Sequence, residues 1–374
     1  MDKTKRMSGL ELLRCVAMML VVVLHYLGKG GLLTDLTGEK LGAPGVTAWL
    51  LESFCIVAVN VYMFISGYFL SVSSFKLSRL LKLWLQVWFY SVVFGLIGAL
   101  TGVVSEVTVD THYFLTLLFP VSMGHYWFMT AYVFLYLLLP FVSLAVRKMT
   151  KTQMQMTILS LMAVFCVLKS VIPVRFEMDG QGYDCLWYLC VFVSAAYIRK
   201  FGVRFLEKKR NCVLLYVAGC LAVFGGTMGL RQIYLHTGMF GTMLKMCMEY
   251  NHIFPFLAAV GLASAFIGLK INEKAAPVVN KVASYALGVY LLHENIGFRY
   301  SWQKWLGSDK ISSVPSLLLW TLAGVVVVFT CGILVDMLRE CIFKLINRML
   351  EKIGIYRRMQ AKLAEADSVF KVEG

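Results

Sequence analysis

The feature that most limits what this chain can fold into is a series of apolar runs, each about 20 residues long, that recurs from one end to the other. A helix of that length rises ~30 Å, which is the thickness of a bilayer's hydrocarbon layer. Reading hydrophobic windows places ten spans, near 8–28, 50–71, 80–103, 124–146, 154–174, 183–201, 212–232, 249–270, 281–300 and 314–338. With 59% hydrophobic and 15% charged residues among 374, too little polar surface exists to cover a soluble core. The expected architecture is therefore all-α: a polytopic membrane helix bundle of about ten transmembrane helices. It occupies residues 1–338, and a basic amphipathic tail, 339–374, follows. The stretch Thr111–Val121 is apolar but too short to span, and the N-terminal run keeps Arg14 and lacks a signal-peptide cleavage site, so it reads as the first membrane helix.

Charge fixes the expected orientation. Of the 36 Lys and Arg, 26 fall in alternate connections and the two ends, from Lys3, Lys5 and Arg6 through the tail that includes Lys371. The opposite connections hold nine: Lys29, Lys40, Lys169, Arg175, Arg231, Lys245, Arg299, Lys304 and Lys310. The positive-inside rule then puts both termini in the cytoplasm. The net charge of +15 is thus a topology signal, and no nucleic-acid partner is expected. In the tail, Ile342, Leu345, Ile346, Met349 and Ile353 alternate with basic residues at helical spacing, which suits an anionic lipid surface. The cysteines sit mostly inside apolar runs with no CxxC pair, so neither a disulfide framework nor a metal site is expected.

With that topology, all six histidines fall towards the outer half, while Arg14, Arg79 and Lys82 gather at the inner ends of their helices. Arg14 and His25 are eleven residues apart. At ~100° per residue that is three turns plus ~20°, so both lie on one face, about 16 Å apart along the axis. Ionisable groups inside a membrane are costly and mark a pathway or a site. Glu11 stands three residues before Arg14 and is placed to pair with it.

These residues resemble the acyltransferase-3 family of membrane O-acyltransferases. The family's hallmark is Arg, ten residues, then His, here Arg14 to His25 in LELLRCVAMMLVVVLHY. The apolar run ending in Ser66, Gly67 and Tyr68 is similar to the family's second motif. Trp127 and Phe128, followed by Tyr136 and Pro140, resemble the next, and Tyr290 and His293 the Tyr-Leu-x-His segment near its end. One departure is the stretch after Arg79, RLLKLWLQ, where the family often has a proline. No hydrolase-like domain follows the tenth span, so the membrane-only form is expected.

The resemblance implies an enzyme that moves an acyl group, usually acetyl, from a cytoplasmic acyl-CoA to a hydroxyl of a surface or lipid-linked glycan, in a bacterial cytoplasmic membrane. It needs no tightly bound cofactor or metal, since acetyl-CoA is a substrate. On that reading Arg14, Arg79 and Lys82 hold the phosphates of the donor. His25, whose ordinary pKa lies near neutrality, takes the proton of the acceptor hydroxyl. Asn60, Ser66 and Tyr68 are candidates for positioning the thioester or its oxyanion, with helix packing as their alternative role. His125, Trp127 and His293 are candidates for the acceptor. A transporter or flippase for a lipid-linked sugar or small acylated molecule is the competing reading, and it would need paired broken helices in two halves.

Overall fold

The computed structural model describes residues 7–172, 174, 177 and 179–370; Lys3, Lys5, Arg6, Arg175 and Lys371, used above for orientation, lie outside the described residues. Among these the chain is all helical, with no strand. The α-helices in order are α1 (Ser8–Lys29), α2 (Ala43–Cys55), α3 (Ala58–Leu70), α4 (Leu77–Thr101), α5 (Thr111–Leu118) and α6 (Trp127–Lys148). They continue with α7 (Lys151–Met162), α8 (Leu168–Val171), α9 (Cys185–Phe201), α10 (Lys209–Thr237) and α11 (Ile253–Phe266). The last four are α12 (Ala276–His293), α13 (Trp302–Trp305), α14 (Val314–Leu350) and α15 (Gly354–Val369).

Seven segments are long and apolar enough to cross a membrane: α1, α2 with α3, α4, α6, α7 with α8, α10 and α14. The expected spans at 183–201, 249–270 and 281–300 correspond to α9, α11 and α12. The first two are only 17 and 14 residues long, and α12 carries Asn280, Lys281 and His293 within its 18. Much of α9 and α11 is buried among other helices, where a short helix loses nothing by failing to reach both surfaces.

Three expected boundaries move. The span at 50–71 starts earlier, at Ala43, where Pro44 occupies a first-turn position, and it is interrupted at Ile56 and Val57. The span at 281–300 ends at His293, and the chain beyond it turns on itself, with Asn295 Oδ1 accepting the Gly297 amide at 2.9 Å. The last span runs unbroken for 37 residues to Leu350, ~55 Å of helix, well past the hydrocarbon thickness. A capping box between Ser313 and Ser316 starts it, and Pro315 stands in its first turn.

Helix α1 lies at the centre, packed against α2, α3, α12 and α14, and α3 packs against α9. The glycine of the Ser66-Gly67-Tyr68 motif explains the last contact. A Cβ on Gly67 would sit 2.7 Å from the Phe192 Cα, so only glycine lets α3 and α9 approach this closely. Gly332 does the same for α14, where a Cβ would meet the Val289 Cα at 2.5 Å. At the other margin α15 turns back to α4. The Asp367 carboxylate accepts from the Ser78 amide at 3.1 Å and from the Ser78 hydroxyl, capping the first turn of α4, and Phe370 packs on Phe75 with ring centroids 5.0 Å apart.

Candidate active site

Helix α1 carries one polar group towards each end, and each belongs to a different cluster. At the N-terminal end, Arg14 Nη1 donates to Glu11 Oε2 at 3.0 Å, the pairing their spacing anticipates. The Arg14 carbonyl accepts from the Tyr62 hydroxyl at 2.7 Å. Arg14 keeps 28% of its side chain exposed, facing a cavity of about 600 Å³ whose walls include Ser66, Arg79, Gln86, Phe128 and Tyr132. Two guanidiniums face this open volume, one of them paired with the Glu11 carboxylate that also lines it. Lys82 is exposed on α4 and does not line this cavity.

At the other end, α1 meets the end of α12. His293 Nδ1 lies 2.6 Å from the Val289 carbonyl oxygen, which can only accept, so this nitrogen carries the proton. In neutral His293 the Nε2 then presents a lone pair. His25 Nδ1 is 2.9 Å from it and 3.3 Å from Glu294 Oε1, two acceptors that both call for a proton on His25 Nδ1. The proton sites are thereby ordered, and His25 Nε2 is left as the basic nitrogen. His25 retains 20% side-chain exposure.

The surroundings hold this dyad rigidly. Lys29 pairs with Glu294 from one turn further along α1. Arg299 donates to the Glu294 carbonyl at 2.7 and 3.1 Å and to the His125 carbonyl at 2.6 Å, tying the chain after α12 to the start of α6. Trp302 Nε1 donates to the His293 carbonyl at 3.1 Å, and Gln303 Nε2 to the His25 carbonyl at 3.3 Å. One ligand-type atom each from His25, His293 and Glu294 lie within 4.8 Å of one another, close enough to share a cation. Lys29 already supplies the positive charge beside that carboxylate.

The other sequence candidates are distributed around these two clusters. Ser66 lines the Arg14 cavity. Asn60 is fully buried and has both ends of its amide engaged, Nδ2 donating to the Tyr250 carbonyl at 2.7 Å and Oδ1 accepting from Trp187 Nε1 at 2.8 Å. Its geometry is that of a bolt between α3, α9 and the chain before α11. Tyr68 is buried against the Arg199 guanidinium, 4.7 Å from its ring centre, and away from the cavity. His125 accepts the Ile296 amide on Nε2 at 2.9 Å, and its Nδ1 is 2.8 Å from the Ser91 hydroxyl, so neither ring nitrogen is left for a substrate. His293 serves His25 directly. Trp127 stacks on Tyr250 and meets Tyr183 with centroids 4.4 Å apart.

Sequence reading did not assign Lys29, Arg299 or the partnership of His293 with His25. The signal for Lys29 was a basic residue one turn beyond a membrane histidine, and for His293 the acidic residue that follows it.

No curated protein and no solved structure matches the chain. A family model does, that of the acyltransferase-3 family, described as an acyltransferase domain, over residues 7–336, nearly the whole length. With both the arginine of the cavity and the histidine dyad inside the matched region, this multi-pass membrane protein belongs to the acyltransferase-3 family.

Proposed function

We propose that the chain is a membrane O-acyltransferase that carries an acetyl group from cytoplasmic acetyl-CoA to a hydroxyl of a glycan outside a bacterial cytoplasmic membrane. The observation that carries this reading is the ordered proton arrangement at His25, a base held ready at the opposite end of α1 from a cavity that Arg14 and Arg79 line. Both termini and the Arg14 cavity face the cytoplasm, and about ten helices, counting α9, α11 and α12, cross the membrane. The phosphates of the donor rest against Arg14 and Arg79, and its thioester arm runs up past Tyr62 and Phe128 towards His25.

His25 Nε2 takes the proton of the acceptor hydroxyl as its oxygen attacks the thioester carbonyl. A C–O bond forms, the C–S bond breaks, and the proton held on His25 passes to the departing thiolate. Glu294 stands beside His25 Nδ1 and stabilises the imidazolium while it exists, much as a carboxylate does for the histidine of a serine hydrolase.

The test is thermal unfolding of the purified protein in mild detergent with and without acetyl-CoA. A ligand bound only by the native state adds about 2.7 kcal/mol at a hundredfold excess over its Kd. Wild type and His25→Ala should both be stabilised by that amount, and Arg14→Ala by no more than about half of it. If wild type, folded, ignores acetyl-CoA, succinyl-CoA and CoA alike, the donor site is wrong and transport assays follow.

A further inference from the structure

On the Arg14 side of the bundle, α3, α6 and α9 end around a cavity of about 260 Å³ lined by Ser71, Val72, Val146, Arg147, Arg199 and Lys200. We propose that it holds the phosphate of an anionic glycerophospholipid whose acyl chains lie along α6. This site is separate from the Arg14 cavity, and the proposal does not rest on the acyl-transfer reading.

Each of the three cations caps a helix end. Arg147, in the last turn of α6, donates to the Ser71 and Ser73 carbonyls at 3.1 and 2.8 Å, just past the end of α3. Arg199, in the last turn of α9, donates to the Tyr68 carbonyl at 2.7 Å and lies over the Tyr68 ring. Lys200 Nζ donates to the Val146, Arg147 and Met149 carbonyls at 3.0, 2.7 and 2.7 Å, closing the end of α6. Capping explains these bonds but not the charge. Carbonyls are neutral, and each helix end carries only about half a negative charge, so three ends offset about half of three cations. Among the described residues no carboxylate stands within ion-pair distance of any of them. Donors are left as well as charge. Arg147 has used two of its five N–H groups and Arg199 one of its five, and guanidinium edges match the oxygens of a phosphate.

The apolar border of the cavity points to a lipid as the source of that phosphate. Phe134, Leu137, Phe141 and Leu144 recur at helical spacing along α6, all exposed, and Phe141 is 75% exposed. Arg147 stands three residues beyond Leu144, so this stripe runs down to the cavity, and Val72, also exposed, lines the cavity itself. On a helix long and apolar enough to cross a bilayer, such a stripe faces lipid tails. An anion carrying acyl chains fits both the stripe and the charge, whereas a free phosphate fits only the charge. The surplus charge also sets selectivity, because a zwitterionic headgroup would bring an ammonium to the same cations. Ser73 lines the Arg14 cavity as well, so the turn that Arg147 fastens is a wall between the two.

The test is native mass spectrometry of the full-length protein, stripped of lipid in mild detergent and titrated with phosphatidylglycerol or phosphatidylcholine of identical chains. Phosphatidylglycerol should bind about tenfold more tightly, as a surplus of roughly one to two charges at a membrane surface implies. Arg199→Gln, whose amide can still donate to the Tyr68 carbonyl, should reduce that preference to about twofold. Lys82→Gln removes a charge from α4 outside the cavity and should leave the preference as in wild type. A wild type that does not distinguish the two lipids would overturn the proposal, and that arm needs no variant to fold. An unchanged preference in Arg199→Gln that melts as wild type does would overturn it too. So would an equal loss in Lys82→Gln, the mark of diffuse surface attraction. Displacement of phosphatidylglycerol by millimolar inorganic phosphate would make the occupant a free anion and remove the lipid.

Discussion

At the Arg14 end of α1 the polar side chains are charged and lightly tied, whereas at the His25 end they are fastened to one another. Arg14 has Glu11 as its partner and more than a quarter of its side chain exposed, and Arg79 beside it is exposed. His25 is aligned by His293, Glu294 and, through its carbonyl, Gln303, and each of those is held in turn. Binding a phosphate needs charge and reach, which a mobile guanidinium supplies. Proton transfer needs one nitrogen in one protonation state at one place, which partners on His25 Nδ1 supply.

That contrast can be broken by substitution, and the largest effect should come from the rigid end. His25→Ala should reduce turnover by about 10²–10⁴-fold while leaving donor binding intact, measured by steady-state kinetics beside acetyl-CoA stabilisation. Equal loss of donor binding would merge the two ends into one site. Next comes Glu294→Gln, which keeps the shape but removes the charge facing His25; kcat should fall about a hundredfold with the donor KM unchanged. Arg14→Ala should act in the opposite sense, raising the donor KM about tenfold or more with a smaller change in kcat. Lys82→Ala, outside the cavity, should change both constants less than twofold.

The smallest effect sharpens the comparison at the margin where α15 docks on α4. Hydrogen bonds from Ser78 hold the Asp367 carboxyl below its usual range. Its folded pKa is depressed, so its contribution to α15 docking is present above the unfolded value and lost as pH falls through the folded one. Hydrogen exchange in α15 should therefore accelerate only in the acid range, and Asp367→Asn should flatten that dependence.

The sequence carries the two clusters unequally. Glu11 with Arg14 and Arg14 with His25 are relations along one helix, so periodicity exposes them. His25 with His293 joins positions 268 residues apart, and Lys169 with Glu249 joins two loops; no local pattern encodes either. Asn60 and His125 look in sequence like groups available for substrate, and only the tertiary partners of each show them spent on packing. The break at Ile56 and Val57 is hidden because both sides are equally apolar, and hydropathy does not register a change of hydrogen-bond partner. The overlong α14 was legible only to Leu338, because its remaining turns are amphipathic and merge with the basic tail.

The hydrogen-bond chain through the dyad ends on the Val289 carbonyl, and that ending has a consequence for the membrane as an electrical barrier. A carbonyl can receive a hydrogen bond but has no proton to pass on. A proton taken up at His25 Nε2 can shift within the His25–His293 pair and go no further along this path. On the proposed mechanism the two ends of α1 are therefore not joined by a proton wire through this dyad, and the proton that moves inward on each turnover is the acceptor hydroxyl's own, leaving on the thiol of CoA.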